Sequence, residues 1–157
     1  MKKLTMTSLL TFALLIPFAA ADSAVNFRVD LSGAQEVPPV ETAATGSGHF
    51  HVNQQRSEIR FDLEIVDGIG ILGVAGAHLH CAPAGENGPV VAFLAGMNPP
   101  SGFDGRLRIR ATLTEASILD PSCGATIAEL VEAMQQGEVY INVHSLANPA
   151  GEVRGQF

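Results

Sequence analysis

Alternation with a period of two runs through most of the chain. Val25, Phe27, Val29 and Leu31 alternate with Asn26, Arg28, Asp30 and Ser32, which predicts a half-buried strand. Residues 48–53 place Phe50 and Val52 on one face and His49 and His51 on the other. The clearest strand covers 57–66, with Ile59, Phe61, Leu63 and Ile65 facing in and Glu58, Arg60, Asp62 and Glu64 facing water. Further strands are predicted at 77–80, at 89–95 after a Gly-Glu-Asn-Gly turn, at 106–113, at 139–143 and at 152–157. Between the first two strands, residues 33–45 carry Pro38-Pro39 and read as an extended loop. Residues 68–76 form a glycine-punctuated approach to the 77–80 strand. One helix is predicted, over about 126–136. There Ile127, Leu130, Val131 and Met134 repeat at helical spacing behind a Thr126/Glu129 capping box, with Gly137 closing the end. Seven or eight short strands with one short helix predict an all-β fold, an antiparallel Greek-key-like β-sandwich or barrel. The pattern does not specify the strand order.

The first residues break this rhythm. Lys2 and Lys3 precede an apolar run from Leu9 to Ala21 that ends in Ala19-Ala20-Ala21. This is the pattern of a secretory signal peptide, too short and wrongly flanked for a spanning helix. Residues 1–21 are therefore expected to be a cleaved leader and 22–157 a single domain, exported to the periplasm or the medium. No cysteine follows the leader to carry a lipid and no second apolar stretch approaches spanning length, so no transmembrane anchor is expected. Loss of the leader removes both lysines and leaves a chain more acidic than the net charge of -7 of the whole sequence. Such a surface is unsuited to nucleic acid, which needs a basic stripe. A protein partner outside the cytoplasm remains open.

Two cysteines fall in the domain. In an oxidising compartment Cys81 and Cys123 read most simply as a disulfide. Because Cys81 follows His80 directly, it is alternatively a thiolate metal ligand. His78 and His80 sit one residue apart on a predicted strand, so both imidazoles project from the same face. Their Cβ atoms would lie roughly 7 Å apart, a span two imidazoles can bridge to one metal. His144 lies on the outward parity of the 139–143 strand, with Tyr140 and Asn142. If the two strands are close, three imidazoles converge, a ligand set that suits zinc and that copper also accepts. His51 is the next candidate for a fourth ligand. Nothing in the spacing of Glu86, Asp104 and Glu152 selects an oxygen ligand. Around Ser145 there is no Gly-x-Ser-x-Gly elbow, and no phosphate-binding glycine loop occurs, so a non-enzymatic module is the favoured reading. Arg154 reads as a structural ion-pair partner or as an anion guide near the histidines.

Several stretches together resemble one family. Phe27-Arg28-Val29-Asp30-Leu31-Ser32-Gly33-Ala34-Gln35-Glu36-Val37-Pro38-Pro39-Val40 resembles the opening of the CHRD domain, first described in the chordin proteins. Gly76-Ala77-His78-Leu79-His80 with Asn87-Gly88-Pro89-Val90-Val91 resembles its centre. Tyr140-Ile141-Asn142-Val143-His144-Ser145, Asn148-Pro149 and Gly151-Glu152-Val153-Arg154-Gly155-Gln156 resemble its end. The resemblance implies an extracellular or exported β-rich module without an assigned chemistry. Gly76 to His80 is also similar to the His-x-His copper strand of copper-zinc superoxide dismutase, although the bridging histidine and zinc-loop pattern are not recognisable downstream. Three readings follow: a copper- or zinc-binding module, a structural or protein-interaction module, and, least favoured, a copper redox enzyme.

Overall fold

Alternation becomes sheet wherever it was predicted. The computed structural model describes residues 24–72, 76–94 and 102–157, and the leader predicted at 1–21 lies outside them. Among the described residues the strands are β1 (Val25–Ser32), β2 (Thr45–Val52), β3 (Ile59–Leu72), β4 (Ala77–Cys81), β5 (Val90–Phe93), β6 (Gly102–Leu113), β7 (Val139–Val143) and β8 (Val153–Gln156), with helix α1 (Ile127–Gln135). They form one antiparallel sheet in the order β5-β4-β7-β8-β1-β2-β3-β6. The two halves of this sheet meet through a single residue pair, Ser32 with Arg154.

At that seam the sheet curls on itself. Three strand spacings separate β7 from β2, about 14 Å in a flat sheet. Yet Ile141 Cδ1 lies 3.2 Å from where a Cβ on Gly48 would stand, so the two halves face each other. The chain beyond β6 returns to the opposite edge, where Leu119 N–H donates to Val91 O at 2.9 Å and Ile118 bridges Ala92. The expected antiparallel all-β sandwich or barrel is thus a curled, half-closed sheet. Its interior holds Val29, Leu31, Phe50, Val52, Ile59, Phe61, Leu63 and Ile65 from one half. Leu79, Val91, Ile141, Val143 and Val153 face them from the other.

β2 begins three residues early, at Thr45, and two further strands run well past their predicted limits. β3 continues past Val66 to Leu72, pairing with a β6 that begins at Gly102, across register shifts around Gly68. Asp67 takes φ 54° within the first shift, between Ile65 and Gly68, so alternation is interrupted although pairing resumes beyond it. The 33–45 loop contains one 3-10 turn, Gly33–Gln35. Helix α1 has its predicted cap, with Thr126 accepting from Glu129 N–H. Gln136 is the C-cap residue, and Gly137 follows it at φ 75°. Cys81 and Cys123 are disulfide-bonded, tying the end of β4 to a 3-10 turn at Pro121–Cys123. Cys81 is therefore not a thiolate ligand: its sulfur is already covalently shared.

Candidate metal centre

Strands β4, β7 and β8 lie side by side, and their outward faces are polar. His78 pairs with Asn142, His80 with Tyr140, and Asn142 in turn with Arg154. On an ordinary sheet such a face would be wet. Here two loops cover it, 33–44 and 82–88, and His78 and His80 are only 9% and 8% exposed.

Arg154 holds the cover in place. It is 1% exposed, and its guanidinium donates to the carbonyls of Pro83 (3.1 Å) and Glu86 (2.8 Å) and to Gln156 Oε1 (2.9 Å). Its Cζ lies 3.5 Å from the centroid of the Tyr140 ring, and His80 stacks on the same ring at 4.8 Å. Neither role expected for Arg154 describes this geometry; it clamps backbone carbonyls. The 82–88 loop reciprocates, since Gly88 N–H donates to the Tyr140 hydroxyl and Gly88 O accepts from His80 Nδ1 at 3.0 Å.

The predicted convergence of histidines is present. His78, His80 and His144 each offer a ring nitrogen, and these atoms lie within 4.8 Å of one another. Their tautomers follow from their neighbours. A carbonyl only accepts, so His80 Nδ1 carries the proton given to Gly88 O. By the same logic His144 Nδ1 donates to Pro149 O at 3.0 Å. Both rings, when neutral, then present a bare Nε2. The Nε2 of His144 stands 3.1 Å from His78 Nδ1, while that of His80 is buried without a hydrogen-bond partner. Burial holds both His80 and His144 below the ordinary histidine range, the former despite its bond to Gly88 and the latter despite its bond to Pro149. Neutral imidazoles pinned through Nδ1 to carbonyls are the form in which histidine binds metal.

Tetrahedral bonds of 2.0–2.1 Å put ligand nitrogens about 3.3–3.4 Å apart. The His78–His144 pair already stands near that spacing, and a rotation of His80 would close the set. A metal ion would take the place of the proton shared between His78 and His144. Imidazole donors suit zinc and copper.

His51 is not brought to this cluster. It sits on β2 with its Nδ1 2.7 Å from Asn26 Oδ1, on the open face of the other half-sheet. Glu152, which spacing alone could not select, is committed elsewhere: it accepts from Thr42, from Ser145 Oγ at 2.6 Å and from Asn148. Glu36 and Asn142 were not singled out from the sequence. Both are buried in the same polar layer, and their only signal was outward parity or loop composition, which reads as solvent exposure.

Neither the curated proteins nor the solved structures contain a match to this chain. A family model, the CHRD domain, matches residues 27–157, which takes in all but the first two residues of the strands described above and includes the three histidines. The chain belongs to the CHRD-domain family.

Proposed function

We propose that this CHRD domain is an exported module that binds a transition metal, copper or zinc, through His78, His80 and His144. The observation that carries the reading is the Nε2 of His80, buried and unpartnered beside two further imidazoles. A lone pair withdrawn from water without a donor costs about 1–3 kcal/mol, and a metal ion removes that cost. The disulfide and the extracellular character of the family support export. Among the described residues no helix is long and apolar enough to cross a membrane.

Titration calorimetry with Cu(II) and Zn(II) is the direct test. One equivalent should bind the wild type, and His80→Ala should weaken binding at least tenfold. Absence of stoichiometric binding by the wild type would sink the proposal. A second reading rests on the hydrogen bond between His78 and His144: the cluster as a purely structural network joining β4 to the turn at 144–149. It expects His78→Ala to lower stability while added metal changes nothing.

A further inference from the structure

Besides the Nε2 of His80, the polar layer holds a pair of unsatisfied atoms on Glu36 and Asn142. Glu36 is 5% exposed and its Oε1 has no hydrogen-bond partner; Asn142 is 3% exposed and its Oδ1 has none. The Asn142 amide nitrogen is in use, donating to Glu36 Oε2 at 3.4 Å and to Ala150 O at 3.3 Å. Turning the amide over would set its oxygen against those two acceptors, so a flip does not help. Both carboxyl oxygens of Glu36 and Oδ1 of Asn142 converge over Gly151. They stand 2.6, 2.5 and 2.7 Å from the point where a Cβ on that glycine would be. Two acceptors turned toward one spot lack a single thing, a hydrogen.

We infer that Glu36 is held as a neutral carboxylic acid whose hydroxyl donates to Asn142 Oδ1, a protonated latch fastening the 33–44 loop to β7. One proton turns Oε1 into a donor and satisfies both atoms at once. The surroundings favour that state. Burial raises the carboxyl to about 7, with the Glu152 carboxylate adding to the rise and the Arg154 cation opposing it. Arg154 cannot neutralise Glu36 by direct pairing, because its Nη atoms are given to the carbonyls of the 82–88 loop and to Gln156. Glu152 shows the converse. Burial opposes its charge, but bonds from Ser145, Thr42 and Asn148 outweigh burial and hold it ionised. Two carboxyls of one layer are thereby driven to opposite protonation states. The remaining titratable groups around the latch are His78 across from Asn142 on β4, His144 at the end of β7, Glu86 in the covering loop and Glu41 on the same loop as Glu36.

The sign follows from linkage. A carboxyl whose folded value lies above its unfolded value of 4.5 stabilises the fold at low pH, and that stability is lost as pH rises through about 7. Glu36→Gln isolates it from the histidines, because the amide supplies a permanent donor and acceptor on the same skeleton. Urea unfolding of both proteins between about pH 5 and about pH 8 should show the wild-type unfolding constant rising about tenfold or more relative to Glu36→Gln. In a glutamate-labelled sample the carboxyl carbon of Glu36 should titrate near neutrality. A ratio flat with pH, or a Glu36→Gln protein that fails to fold, would overturn the latch. So would stabilisation of the wild type by calcium chloride that Glu36→Gln lacks, since the carboxyl would then be an ionised cation ligand.

Discussion

At the scale of single residues, the decisive positions are polar side chains made to live out of water. Arg154 is the largest of them, and three backbone or side-chain oxygens from the 82–88 loop and β8 depend on its planar fork. Lysine keeps the charge but cannot reach separate carbonyls at once. Arg154→Lys is expected to cost about 2–3 kcal/mol in urea unfolding while leaving the far-ultraviolet β signature intact. A loss under half a kcal/mol would show that the loop does not hang on this residue. None of this was legible in advance. Tyr140, Asn142 and Arg154 stand at outward parity, and parity says which face a residue takes but not what later lies over it. The histidines were legible because His-x-His fixes two imidazoles to one face whatever covers them. His51 obeyed the same parity rule on a different half of the sheet, where spacing alone had no way to place it.

Elements tell a more readable story. Alternation located the strands because each half-sheet buries one face in a common interior, and Ile59, Phe61, Leu63 and Ile65 are all within it. The outward residues of β3 meet arginines of the edge strand β6, with Asp62 accepting from Arg108 and Arg110 and Glu64 from Arg106. Such charged rows also keep a long edge strand from pairing with another chain. What alternation missed was length. The glycines near residue 68 and the register shifts beside them erase the period while backbone pairing with β6 continues. Between elements, the disulfide spans 42 residues and joins β4 to the turn before α1. Replacing both cysteines, Cys81→Ala with Cys123→Ala, should lower stability by up to about 4 kcal/mol in the chain-entropy model. Metal affinity should fall less than tenfold, because His78, His80 and His144 are oriented by Gly88, Pro149 and each other and not by sulfur. A complete loss of binding in a protein that still folds would instead make the covalent tie part of the site.

For the whole molecule, one covered polar face gathers groups that titrate in opposite senses. Burial depresses His80 and His144, so their share of stability is present above the ordinary histidine value of 6.5 and is lost as pH falls through their lowered values. Glu36 works the other way, weakening the fold as pH rises toward about 7. In the metal-free protein the two oppose each other in one window: as pH rises from about 4.5 to about 7 the histidines add stability and Glu36 removes it, and above that range neither changes it further. Metal acts on the histidine contribution only. Its ligands must present lone pairs, so protons compete with it, and it stabilises the folded state by mass action wherever the imidazoles are neutral. Thermal unfolding with and without zinc chloride should show a rise in Tm at about pH 7.5 that fades by about pH 5, the range in which histidines protonate. Glu36→Gln should remove the loss of stability between about pH 5 and about pH 7 that Glu36 causes and leave the zinc-dependent rise unchanged. His80→Ala should abolish the rise and keep the Glu36-dependent loss. A zinc effect that ignores pH or survives His80→Ala would place the ion on exposed carboxylates. A zinc effect that disappears with Glu36→Gln would mean that latch and histidines form one site, joined through the pairing of Asn142 with His78.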